Sequence, residues 1–173
     1  MISGTMGVGK SSVIRELLKL LPRAVMLDGD WCWWYADPFT VTDETRAMVT
    51  DNIVCLLGNF LSCTAYENMI FCWVMHEKAI SESILSRLDL SGCRVREISL
   101  VCSPAALSRR FERDIASGIR MPDVLPRSLE RLPLYARLDT EKLDVSDITA
   151  RRSAELIASS VDLPAALDKA CRI

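Results

Sequence analysis

The sequence predicts a three-layer α/β domain, a mainly parallel five-stranded sheet flanked by helices on both faces. Three observations carry this. Short apolar runs of strand length alternate with longer stretches of helical periodicity along the 173 residues. The run 69–75, Met-Ile-Phe-Cys-Trp-Val-Met, is apolar throughout, the pattern of a strand covered on both faces as in a parallel sheet. No repeat, low-complexity tract or Pro/Gly/Ser-rich linker divides the chain, so residues 1–173 read as one domain, long enough to bury a sizeable core.

In chain order, Met1 to Ser3 reads as the tail of a first strand, short beside the usual length of about five or six residues. Ser11 to Leu21 places Val13, Leu17, Leu18 and Leu21 at helical spacing, and Ala24 to Leu27 is a second strand ending in Asp28-Gly29-Asp30. Asp43 to Ser62 predicts a long, largely apolar helix, Met69 to Met75 a third strand and Ala79 to Leu88 a helix. Val95 to Val101 is a fourth strand, after which Ser103-Pro104 supplies an N-cap and an N1 proline for the next helix. Leu143-Asp144-Val145 is a short last strand, and Ala150 to Ser159 a last amphipathic helix. In such sheets ligands bind beyond the carboxyl ends of the strands.

The first strand runs into Gly4-Thr5-Met6-Gly7-Val8-Gly9-Lys10-Ser11, a phosphate-binding loop in its strand-to-helix context. Gly4, Gly7 and Gly9 permit the backbone conformations that turn the N–H groups of the loop, those of Met6 and Val8 included, toward a phosphate. The helix beginning near Lys10 and continuing through Ser12 adds its positive end. Lys10 reaches the β- and γ-phosphates as a point charge, and Ser11 offers a hydroxyl to Mg²⁺. The fold expected is therefore that of the P-loop NTPases, binding a nucleoside triphosphate.

With this loop and three further features, the chain resembles the small P-loop kinases over nearly its whole length. That group includes nucleoside monophosphate, shikimate, gluconate and adenylylsulfate kinases and chloramphenicol phosphotransferase. The first feature is Asp28-Gly29-Asp30. The resemblance implies that Asp28 serves the Mg²⁺ shell, directly or through water, while Asp30 binds the acceptor hydroxyl and accepts its proton; an Asp-Gly turn without chemistry is the alternative. The second is an arginine-rich stretch, Arg109, Arg110, Arg113, Arg120, Arg127 and Arg131, where these kinases carry a mobile lid, here about residues 109–135. Arg110, Arg113 and Arg120 are the candidates for neutralising charge on the transferred group, with Arg110 also touching nucleotide; a solvated face paired with Glu112, Asp114 and Glu130 is the alternative. The third is Lys142 to Thr149, similar to the strand and turn that pass the adenine in these kinases.

No aspartate ends the run 69–75, so the Walker B carboxylate of motors and switches is missing from that strand, and no Asn/Thr-Lys-x-Asp guanine motif occurs. On the acceptor side, Trp31, Trp33, Trp34 and Tyr35 follow Asp30 and either wall a substrate or pack onto the long helix. Trp31, Trp34 and His76 are the candidate substrate contacts, and Arg46 could meet an anionic acceptor. The expectation is an ATP- and Mg²⁺-dependent kinase acting on a small molecule or a nucleotide. A non-catalytic nucleotide-binding domain and an antibiotic- or toxin-type phosphotransferase remain open beside it.

A net charge of −2 gives no reason to expect nucleic acid as a partner. The seven cysteines are odd in number, form no CxxC pair and sit partly in apolar runs, so they read as buried free thiols in a reducing compartment. No signal stretch or apolar run of membrane length occurs. A soluble cytoplasmic monomer or homodimer, with no membrane partner, is the expectation.

Overall fold

The computed structural model describes residues 1–33, 41–119, 121 and 123–161. Five strands, β1 (Ile2–Ser3), β2 (Ala24–Asp28), β3 (Asn68–Trp73), β4 (Ile98–Val101) and β5 (Glu141–Asp144), form one sheet. Their order is β2-β3-β1-β4-β5 and every pairing is parallel. Helices α1 (Lys10–Leu17), α2 (Asp43–Leu61), α3 (Lys78–Leu85), α4 (Pro104–Ala116), α5 (Val124–Arg137) and α6 (Ala150–Val161) cover it. A single 3₁₀ turn, Gly29–Cys32, follows β2.

Two apolar clusters make the layers. Val13, Ile14 and Leu17 of α1 pack with Ile2, Leu100, Leu107, Phe111, Ala154 and Ile157 on one side of the sheet. Val49, Ile53 and Leu57 of α2 and Ile84 of α3 pack with Leu27, Phe71 and Met75 on the other. The three-layer P-loop fold is thus present, with helices on both faces of an all-parallel sheet.

The short first strand is as short as the sequence implies. Ile2 and Ser3 pair with β3 on one side, opposite Cys72 and Trp73, and with β4 on the other, opposite Ile98 and Ser99. Ile2 is buried, and Ser3 Oγ meets Ser99 Oγ at 3.0 Å. Two paired residues suffice at the centre because both neighbours are longer and continue the sheet outward.

Several boundaries differ from the sequence reading. Helix α1 stops at Leu17 rather than Leu21 because the chain tightens into i−3 bonds, Lys19 N–H to Glu16 O and Leu20 N–H to Leu17 O, ahead of Pro22. Strand β3 ends at Trp73, although Met75 beyond it is still buried, so apolar character alone overran the strand. Helix α3 ends at Leu85, and β4 begins only at Ile98 rather than at Val95. The Ser103 cap and N1 Pro104 of α4 stand as expected, with Ser103 Oγ accepting the Ala106 N–H at 3.2 Å. Cys32, Cys72 and Cys102 are buried thiols, but Cys55 is exposed. It lies on the face of α2 away from Val49, Ile53 and Leu57, where Met48 and Leu56 are also exposed.

Because all strands are parallel, one edge of the sheet gathers the segments that follow their carboxyl ends. These are the phosphate loop after β1, Asp28-Gly29-Asp30 at β2, 74–77 after β3, Cys102-Ser103 after β4 and Val145–Asp147 after β5.

Candidate active site

The phosphate loop is held from three sides. Gly7 has φ 81° and Gly9, the N-cap of α1, has φ 111°, both in the left-handed region. The Phe111 ring of α4 lies against Gly7, where a Cβ would meet Cε2 at 2.2 Å. Thr5 is buried and its Oγ1 donates to the Ser128 carbonyl of α5 at 2.8 Å. Lys10 Nζ donates to the carbonyls of Gly4 at 2.8 Å and Thr5 at 3.2 Å, which keeps the ammonium over the loop. Ser11 and Ser12 are exposed in the first turn of α1. Val8 is buried in the core and contributes to the loop through its backbone alone.

Asp28 and Asp30 stand beside this loop. Asp28 is the last residue of β2, level with Cys72 of β3. Its Oδ1 accepts the Asp30 N–H at 3.1 Å and so caps the 3₁₀ turn. Asp28 therefore performs the turn role that its sequence context allows, and its carboxylate keeps lone pairs for a further ligand. The Cys72 thiol lies against the same carboxylate. Burial, then the Asp28 charge, push it up to about 12, so it remains a thiol.

Asp30 lies in the crevice between the loop and β3. Trp73 Nε1 donates to its Oδ1 at 3.0 Å. Its pKa is raised above the usual aspartate value, first by burial of the carboxyl and second by the Asp28 charge, while the Lys10 ammonium and the Trp73 bond pull it down. The structure thus brings Lys10, Asp28 and Asp30 into one electrostatic neighbourhood.

The arginines divide. Arg110 is half-buried and donates to the Val8 carbonyl at 2.7 Å and to the Val145 carbonyl, clamping α4 to the phosphate loop and to the segment after β5. Arg113 is exposed, 3.9 Å from Asp114 on its own helix, and Arg109 faces Asp147 at 3.9 Å. Arg120 lies outside the described residues, as do Trp34 and Tyr35. Trp31 is 61% exposed, whereas Trp33 packs against the α2 cluster. His76 is half-buried beside Glu77 at 3.6 Å. Its pKa is lowered by burial first and by the Arg131 charge second, which keeps the imidazole neutral at neutral pH. The charges of Arg131 and Arg127 on α5 are thus felt at His76. Arg46 pairs with Asp43 at 3.3 Å on the exposed first turn of α2.

Sequence reasoning missed the part that β3 plays. Cys72 and Trp73 look like ordinary members of an apolar strand, and only the register opposite Asp28 reveals that they meet the two carboxylates. The absence of a Walker B aspartate on β3 was the available signal, because it left open what the end of that strand supplies.

A family model described as "AAA domain" matches residues 1–124. The chain belongs to that AAA domain family. Its structure is similar to the tunicamycin resistance protein of Deinococcus radiodurans at TM-score 0.69, with 20% identity over 94% of each chain. It is also similar to a gluconokinase from Sinorhizobium meliloti 1021 at TM-score 0.63, with 19% identity over 92% of this chain and 90% of that one. Shikimate kinase from Acinetobacter baumannii follows at TM-score 0.57, with 19% identity over the same shares of the two chains, 92% and 90%. At these identities the likeness establishes a shared fold. No curated protein matches the sequence.

Proposed function

We propose that this AAA-domain-family protein is an ATP-dependent kinase that transfers the γ-phosphate to a hydroxyl group of a small molecule. The observation that carries this reading is the placement of Asp30, a carboxylate with raised proton affinity, beside the phosphate-loop lysine Lys10. A hydroxyl must lose a proton as it attacks phosphorus, whereas a phosphate acceptor is already ionised. A carboxylate beside the phosphate-loop lysine suits the first case.

The steps follow from this chain's own groups. The N–H groups from Gly4 to Gly9, with the amino end of α1, bind the β- and γ-phosphates. Lys10 releases its bonds to the Gly4 and Thr5 carbonyls in favour of phosphate oxygens. Asp30 accepts the acceptor's hydroxyl proton as the new O–P bond forms and the bond to the β-phosphate bridging oxygen breaks, releasing ADP. Arg110, already fixed to the loop carbonyl of Val8, holds α4 against the nucleotide side. Arg113 and Arg120 are candidates for closing over the transferred group. Trp31, Trp34 and His76 are candidates for contacts with the acceptor.

Mg²⁺ fits the donor set, because a serine hydroxyl, one carboxylate and substrate phosphates are the hard oxygens it takes in such sites. Ser11 and Asp28 would hold it, Asp28 directly or through water, and it would neutralise charge on the phosphates. Among the described residues no group of three His, Cys, Asp or Glu side chains is placed to hold a metal ion. No helix among them is long and apolar enough to cross a membrane.

Incubation with γ-labelled ATP, Mg²⁺ and fractionated metabolite pools tests the reading. The expected product is a labelled phosphomonoester in one fraction, lost in Lys10→Ala. ATP binding with no labelled product from any fraction would contradict it.

A further inference from the structure

The end of β3 occupies a position that the transfer chemistry above leaves unexplained. Trp73 is its last residue, paired with Ser3 immediately before the phosphate loop. Its indole reaches sideways to the segment after β2, and the fit there is close. A Cβ on Gly29 would sit 2.5 Å from Trp73 Cγ and 2.7 Å from Cδ1. Only glycine between Asp28 and Asp30 lets the ring lie against that backbone. The Nε1–H then lands 3.0 Å from Asp30 Oδ1.

The indole carries a single polar atom, and its partner here is a carboxylate beside the phosphate loop. The bond fixes one oxygen of a short side chain on a one-turn 3₁₀ segment, and so fixes the direction of the other. We infer that Trp73 is a positioning residue: its indole N–H holds Oδ1 of Asp30 so that Oδ2 is presented to the acceptor hydroxyl. The inference rests on the kinase reading above for its consequence in catalysis, and on the Trp73–Asp30 contact for its geometry. It assigns the residue standing where a Walker B acid would be expected a role as hydrogen-bond donor to the carboxylate of the neighbouring strand.

Two measurements test it. In ¹H–¹⁵N spectra the indole signal of Trp73, assigned in the parent protein by the ring's through-space contacts with Gly29, should move with pH as Asp30 ionises. The signal should be flat in Asp30→Asn. An indole signal that ignores pH, or that titrates equally in Asp30→Asn, overturns the contact. This arm uses the parent protein and does not depend on how well Trp73→Phe folds.

In transfer assays Trp73→Phe, which keeps a ring against Gly29, should lower kcat about tenfold and leave the KM for ATP unchanged. The same substitution placed on Asp30→Asn should cost nothing further. Parental kcat in Trp73→Phe, or an equal loss on both backgrounds, overturns the positioning role alone. A parent protein that phosphorylates no acceptor removes the kinase reading and the positioning role with it.

Discussion

At Gly7 the phosphate loop and the core compete for the same space. With φ at 81° and the Phe111 ring 2.2 Å from where a Cβ would stand, Gly7→Ala must both strain the backbone and displace a buried ring. A loss of roughly 2–4 kcal/mol of unfolding free energy is expected from the two effects together, measured by denaturant unfolding. Asp30 shows the opposite relation between stability and function. Its folded-state pKa is raised, so the folded protein holds that proton more tightly than the unfolded chain does. Stability from this group is therefore greatest below the unfolded pKa and falls as pH rises through the folded value. Asp30→Asn should accordingly raise Tm at neutral pH. The acid limb of the parent's pH–rate profile should lie above the range of a free aspartate. At this scale the loop glycines, Lys10, Ser11 and the Asp-x-Asp were readable because each has a fixed place in a short motif. Trp73 was not, since its partner lies 43 positions away in sequence and is reached only through the β2–β3 register.

Among the elements, α4 illustrates how local signals and distant contacts differ in visibility. Its start is written in Ser103-Pro104, and Ser103→Ala should cost about 1 kcal/mol in thermal or chemical unfolding through loss of the cap on the Ala106 N–H. Its function as a clamp is not written there. Arg110 sits in an arginine-rich run that resembles a lid, yet its guanidinium spans the carbonyls of Val8 and Val145, 102 and 35 positions away. Arg110→Ala should weaken ATP binding by loosening the loop, a change seen as a raised KM for ATP with a smaller effect on kcat. Strand ends were the least legible feature. Apolar residues such as Met75 remain buried after the ladder stops, and hydrophobicity does not distinguish the two situations. The exposed Cys55 makes the same point for α2, where Met48 and Leu56 on the outer side blur which face meets the sheet.

For the molecule as a whole, the parallel order β2-β3-β1-β4-β5 places the phosphate loop at the centre of the sheet edge and the β2 carboxylates two strands away, with β3 between them. That spacing explains why the residues ending β3 reach both carboxylates, and why the site needs a donor from β3 as well as the acids from β2. Strand alternation made the fold class evident in the sequence; the strand order and register that assemble the site were not. Saturating ATP should stabilise the folded protein by about 2.7 kcal/mol at a hundredfold excess over Kd, read as a rise in Tm that Lys10→Ala abolishes. If Asp30 receives the acceptor's proton, the nucleotide half of the site is complete without it. Parallel measurement of Mg²⁺-ATP affinity and of labelled phosphate transfer in Asp30→Asn tests this most directly. Affinity equal to the parent's with transfer reduced by a factor of about 10² or more is the predicted result; transfer at the parental rate would contradict it.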